Sequence, residues 1–287
     1  PRLRWIEQLV DLVRAGKWTQ VRMLPGNGAE HVYDILVQNL SGARILPIDL
    51  APINDRDELL RIIADQADEP ATAFAADGRA NFHQIAKRAA EGSDRLAIVV
   101  ENWGSFAHEK TPDDLHQIAL ALTGFKNVTD RPKVAIVLLS PTRAHHLLPA
   151  HRVGSLLQLQ SVFPSETDGE EIERWARSRL LDVAEDDIRA VLSAARGQLC
   201  AIQVAVNPAL RNQNERLQAI RHAHHDAGQS ILGTVGTCCR EVLLGNSREP
   251  GCLTALKEAG ILEERAGEYH PHVAEWTDSW GEARRSH

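Results

Sequence analysis

Residues 23–30 read Met-Leu-Pro-Gly-Asn-Gly-Ala-Glu. They stand between a short apolar run, Gln20–Leu24, and a stretch from His31 to Leu40 in which Val32, Ile35, Leu36 and Leu40 keep helical spacing. Strand, glycine turn and helix in that order point a row of backbone N–H groups at an anion, above all a phosphate. The full pattern for this chemistry is GxxxxGK[ST], where the lysine neutralises the outer phosphates and the hydroxyl holds magnesium. Here Pro25, Gly26, Asn27 and Gly28 keep the turn, but Ala29 stands in the lysine position and Glu30 in the hydroxyl position. A carboxylate about 4 Å from a phosphate charge is repelled by roughly 4 kcal/mol at an effective dielectric near 20, whereas one helix dipole offers about 0.3–1 kcal/mol. These residues predict weak ATP binding or none. An ordinary tight strand-to-helix turn accounts for the same glycines.

Two further strand ends carry polar groups of the same kind. Leu96–Val100 is an apolar run followed by Glu101 and Asn102, where a nucleotide-hydrolysing site would place an acidic pair. Glu101 can hold magnesium, but the Asn102 amide cannot take a proton from an attacking water. Val134–Leu139 ends in Ser140-Pro141-Thr142-Arg143. Ser140 and Thr142 are the polar side chains at this strand end, and both are also common turn residues.

Other candidate chemistry is weaker. His222-Ala223-His224-His225-Asp226 approaches the HxHxDH run of two-metal hydrolases, but Ala227 occupies the last histidine position and the preceding residues are helical. A solvated helix end is the expectation there, and no metal. His145-His146 and His270-Pro271-His272 have no convergent acids nearby in sequence and read as surface residues, and no GxSxG nucleophile turn is present. Cys200, Cys238, Cys239 and Cys252 lack CxxC spacing, which predicts free, mostly buried thiols.

The elements that would position these residues alternate. Helices are predicted over Arg4–Ala15, closed by Gly16, and over Asp55–Asp68, Asn81–Glu91 and Pro112–Gly124. Apolar strand candidates are Arg44–Leu50, Arg95–Glu101 and Lys133–Leu139. Continuous β-branched runs between helices predict a parallel sheet covered on both faces. Beyond Phe163-Pro164 the pattern turns helical at 169–181, 185–195, 199–207 and 214–224. Two further helical segments, 228–245 and 249–262, precede a hairpin that turns at Ala266-Gly267. The 287 residues suggest about two domains, and 43 % hydrophobic with 25 % charged residues excludes disorder as the main state. No apolar run approaches the roughly 18 residues of a bilayer span, and the acids in the first sixteen residues are unlike a signal peptide, so a cytoplasmic protein is expected. A net charge of -7 gives no general attraction to nucleic acid.

Three more stretches complete a resemblance: LLQLQSVFPSETDGEEIERWARSRL at 156–180, AARGQLCAIQVAV at 194–206, and the terminal LTALKEAGILEERAGEYHPHVAEW. Together with the strand ends above, they make the chain resemble AAA+ and STAND P-loop ATPases, particularly the origin-recognition and NACHT-like branch, over nearly its whole length. The resemblance implies a degenerate P-loop NTPase-like α/β domain over 1–155, a helical lid over 156–227 and a winged-helix domain over 228–287. It makes Arg196 the sensor-2 candidate, without the proline usual after the following glycine. It also implies an empty nucleotide site formed by Pro25 to Glu30, Glu101, Asn102, Ser140 and Arg196. The function implied is that of a catalytically inactive assembly or regulatory adaptor in a defence or DNA-maintenance complex, with no cofactor and with a protein partner or a second copy of itself. Two alternatives stay open. One is a nucleotide-dependent switch using ATP or ADP with magnesium. The other is a DNA-binding regulator acting through residues 229–272, although Glu249, Glu258, Glu263, Glu264 and Glu268 outweigh Lys257 and Arg248 there and favour protein contact. Trp276 and Trp280, four apart, should share one helical face.

Overall fold

The computed structural model describes residues 3–65, 81–103, 111–128, 131–140, 159–163 and 166–285. The chain divides into two compact units. A sheet unit comprises Glu7–Arg22 and His31–Val162, and a helical unit comprises Pro1–Ile6, Met23–Glu30 and Phe163–His287.

In the sheet unit, β1 (Thr19–Val21), β2 (Ala43–Asp49), β3 (Arg95–Glu101), β4 (Lys133–Leu139) and β5 (Gln160–Val162) form one sheet in the order β2-β3-β4-β1-β5. Every pairing is parallel, with Asp49 opposite Glu101, Val99 opposite Val137 and Val21 opposite both Leu139 and Val162. Leu96–Val100 and Val134–Leu138 are buried without a break, as strands covered on both faces require. On one face Leu46, Ile48, Ile98, Val100, Ile136 and Leu138 join a continuous core with residues of α3 (Arg56–Asp65), α4 (Phe82–Ala89) and α5 (Pro112–Gly124). α4 is capped by the Asn81 side chain, and α5 by a reciprocal Thr111–Asp114 capping box with Pro112 at its first turn. α1 (Arg4–Arg14) and α2 (Val32–Asn39) are the remaining helices of the α/β alternation.

Gln160–Val162 corrects the reading of that stretch as the lead into a helical region. It is a strand, paired along all three residues with β1. Only Val162 is buried, so the segment carries no apolar periodicity. The expected boundary at 155/156 lies outside the described residues, as do Thr142, His145 and His146.

The helical unit contains α6 (Glu166–Arg179), α7 (Glu185–Ala195), α8 (Leu199–Ala205), α9 (Gln213–Thr234), α10 (Thr237–Leu243), α11 (Pro250–Glu258), the antiparallel pair β6 (Leu262–Arg265) and β7 (Glu268–Pro271), and α12 (Glu275–Arg285). The hairpin turns at Ala266 (φ 52) and Gly267 (φ 82), the two left-handed residues of a tight two-residue loop. Trp276 and Trp280 pack with ring centroids 6.1 Å apart and planes tilted by 39°, inside the core that α9 to α12 share.

Two expectations are corrected here. α9 does not end at His224 but runs to Thr234. Gly228, inside α9, is a contact point with α12. A Cβ there would come within about 3.1 Å of Ser279 and Trp276, and its carbonyl accepts the Trp280 indole N–H at 3.0 Å. The cysteines are not all free either. Cys238 and Cys252 form a disulfide, while Cys200 and Cys239 are thiols. α10 and α11 bring that pair together, and linear spacing carries no such distance.

Candidate functional site

The sheet unit places Glu101, Asn102 and Ser140 at the C-terminal edge of its strands, where open parallel sheets bind ligands. Asn102 has a left-handed backbone (φ 58), and its side-chain amide donates to Asp49 Oδ1 at 2.7 Å. Asp49 also accepts the Ala51 N–H at 2.9 Å. Glu101, half-buried opposite Asp49 in the register, has a pKa raised above 4.5, first by burial and then by the Asp49 charge. Ser140 is buried. Its N–H donates to the Val21 carbonyl at 3.2 Å, and its carbonyl accepts from the Gln20 amide at 3.4 Å. The candidate magnesium ligand thus adjoins a second acid, and the candidate base position holds an amide engaged with that acid.

Asp49 is the residue that sequence reasoning missed. The signal was present: two strand candidates, Arg44–Leu50 and Arg95–Glu101, each carry an acid at or next to their C-terminal end. Once the strands are parallel and in register, those acids meet.

In the helical unit the loop at Met23–Glu30 meets a different partner. The Asn27 side chain accepts the Leu199 N–H at 2.7 Å and donates to the Gln198 side-chain oxygen at 2.8 Å. Gln198 offers α8 no side-chain cap of its own, so Asn27 supplies one from the loop. Gly26 (φ 78) lies against the same helix start. A Cβ on it would sit 2.8 Å from the Cβ and 2.9 Å from the Sγ of Cys200, so glycine is demanded by both conformation and space. Gly28 (φ 107) is buried near Trp5 and Leu199, and Ala29 and Glu30 open a short 3-10 turn. Pro25 and Gly26 also line a cleft of about 450 Å³ with Cys200, Val204, His222 and Asp226. No lysine or arginine is among the described residues that line it.

α8 has only seven residues, a length that does not persist on its own. Its other end is held by Arg216, buried on α9, whose guanidinium donates to the carbonyls of Ala205, Asn207 and Leu210. Arg196, the sensor-2 candidate, closes α7 in the left-handed conformation (φ 47). It is exposed, and its guanidinium reaches the His272 carbonyl at 3.4 Å.

The histidine run diverges. His222 is exposed and bonds to the Gln218 carbonyl, buried His224 bonds to the Ala194 carbonyl, and His225 meets Ser279 and Glu282. Helical phase sends adjacent members to different neighbours.

No family model matches this sequence, and no curated protein matches it. Solved structures do. A Walker-type ATPase of Pyrococcus abyssi is 12 % identical, with 98 % of this chain and 95 % of that chain covered and a TM-score of 0.59. The ORC2 protein of Aeropyrum pernix, solved as ADPNP–ADP complexes, is 12 % identical over 98 % and 94 % with a TM-score of 0.51. At this identity the likeness shows the fold alone: the parallel-sheet fold of P-loop NTPases followed by a helical C-terminal region.

Proposed function

We propose that this chain is a catalytically inactive AAA+/STAND-like subunit that works as an assembly or regulatory adaptor in a multiprotein complex of the defence or DNA-maintenance kind. The reading assigns residues 1–155 to a degenerate NTPase-like domain, 156–227 to a helical lid and 228–287 to a winged helix, with α9 continuous across the last two. The observation that carries it is the use of Asn27. At the centre of the glycine turn this side chain spends its acceptor and its donor on the start of α8. Ala29 and Glu30 in the cationic and hydroxyl positions, and Asn102 bound to Asp49, agree with that use. Such a chain acts by contact, with a protein partner or another copy of itself. Among the described residues no helix is long and apolar enough to cross a membrane, and a cytoplasmic setting is part of the proposal.

Titration calorimetry with ATP and magnesium tests the empty site. The expected result is no heat beyond dilution, and micromolar binding overturns the reading. The double substitution Ala29→Lys with Glu30→Thr should not confer turnover, because Asn102 still supplies no base. Measurable hydrolysis would return the chain to the nucleotide-switch reading, which the Asp49–Glu101 pair favours as a place for a divalent ion. For the C-terminal segment, Lys257 is paired with Glu264 at 2.6 Å and Arg265 with Glu263, which supports protein contact over DNA. A mobility-shift assay showing DNA binding with a steep salt dependence would reverse that preference.

A further inference from the structure

The turn between α10 and α11 gathers three groups that no step above has used. Cys238 stands in the first turn of α10, Glu249 caps α11, and Cys252 lies in the first turn of α11. Their ligand atoms lie within 4.8 Å of one another, with Cys238 and Glu249 exposed and Cys252 buried. The Cys238 Sγ is 3.9 Å from Glu249 Oε2, which also accepts the Cys252 N–H at 2.6 Å. Gly251 makes room for the carboxylate, since a Cβ there would come 3.0 Å from Oε2 and 3.3 Å from Oε1.

We propose that, once the disulfide is reduced, Cys238, Cys252 and Glu249 bind a thiophilic divalent ion such as zinc, and that the disulfide is the ion-free form of the same three residues. The distances fit. Bonds of about 2.3 Å to sulfur and about 2.0–2.2 Å to oxygen in a tetrahedral ion set the sulfur–oxygen edge near 3.5 Å and the sulfur–sulfur edge near 3.8 Å. The first is close to the edge already present. The second is reached by turning the exposed Cys238 away from Cys252, with the two Cα atoms 6.3 Å apart. Two thiolates and a carboxylate are a donor set suited to zinc, and the exposed rim leaves the fourth position to water.

The neighbouring sulfur does not compete. Cys239 is buried in the core that α9 to α12 share, whereas Cys238 is exposed.

The interconversion balances. A dithiol gives two electrons and two protons to the Cys238–Cys252 bond and becomes a disulfide itself, leaving two thiols whose protons the ion then displaces. A low-molecular-weight disulfide reverses this, taking up two electrons and two protons to become two thiols. In a reducing compartment, where such bonds are kept open, the ion would replace the sulfur bond as the link between α10 and α11.

The test uses the full chain, reduced with a dithiol, desalted, assayed for free thiols and titrated with Co²⁺ as the probe. Expected is a sulfur-to-cobalt charge-transfer band that saturates at one equivalent and is displaced by Zn²⁺. The band should vanish in Cys238→Ser, an exposed position whose folding is checked by circular dichroism. It should also vanish after oxidation with a low-molecular-weight disulfide, and it should persist in Cys239→Ser. Glu249→Gln should weaken cobalt affinity about tenfold or more. Absence of the band in chain with free thiols overturns the proposal, and so does a band indifferent to Cys238→Ser. An affinity unchanged in Glu249→Gln removes the carboxylate from the site and overturns the three-ligand assignment.

Discussion

In the loop at residues 23–30, glycine geometry and an asparagine side chain serve the start of a helix. At the C-terminal edge of the sheet, Asp49, Glu101 and Asn102 serve one another. The loop is held by steric fit and by two hydrogen bonds to α8. The edge is half-exposed and electrostatically uneasy, with two acids in register and the pKa of one of them raised. A P-loop-type fold can therefore hold its glycine turn and its sheet edge in two ways. The backbone cradle can take on a packing duty that tolerates little change, while the polar edge keeps groups that tolerate a good deal.

The largest effect should come from Gly26→Val. A side chain forced into a left-handed backbone costs about 1–2 kcal/mol, and overpacking against Cys200 adds about 1–3 kcal/mol. Chemical denaturation of the full chain should show a loss near 3 kcal/mol. A double-mutant cycle with Cys200→Gly should recover the packing share; additive effects would dissolve the contact. Next, Arg216→Met leaves three carbonyls near the end of α8 without their cation and should cost about 2–3 kcal/mol in the same measurement. Arg216→Lys should restore only part, because an ammonium cannot reproduce the fork. Asn27→Ala should cost about 1–2 kcal/mol. Asn27→Asp, which keeps the acceptor and loses the donor, should cost about half as much, and indifference to both would free the loop from α8.

At the sheet edge the effect is smaller and depends on pH. Because the folded-state pKa of Glu101 lies above its unfolded value near 4.5, the folded chain holds that proton to higher pH than the unfolded chain does. The contribution is fully present below about 4.5 and is lost as pH rises through the raised value. Glu101→Gln should flatten that decline and stabilise the chain at neutral pH by on the order of 0.5 kcal/mol once solvent screening is counted. Thermal midpoints measured from acid to neutral pH check this, and a steeper decline in the variant would reverse the assigned sign.

Legibility in the sequence followed the range of the interaction. Arg95–Glu101 and Lys133–Leu139 were readable to the residue because a strand buried on both faces writes a continuous apolar run. Pro112–Gly124 and Glu185–Ala195 were readable because Pro112 and the acids of both first turns mark helix starts. Gln160–Val162 was not, since three residues with one buried side chain write no period. The far end of α9 was not, since the histidine run at 222–225 reads as a solvated helix end until α12 is seen packed on Gly228. Of the candidate site, the identities of Ala29, Glu30 and Asn102 were plain, but their surroundings were hidden. The Asn27 partners lie 171 and 172 residues away, and the Asn102 partner lies 53 residues away.

By itself the sequence determined a parallel sheet with helices between its strands, a helical region after it, and a glycine turn without the cation and hydroxyl that grip a triphosphate. Hydrophobic period and residue identity are local quantities, carried by the chain wherever it goes. Only the tertiary structure decided that Asn27 caps α8, that Asp49 stands beside Glu101, and that Cys238 meets Cys252 and not its own neighbour. Each of those pairings depends on where the chain returns in space, which is set by the packing of whole elements and written in no short stretch of residues.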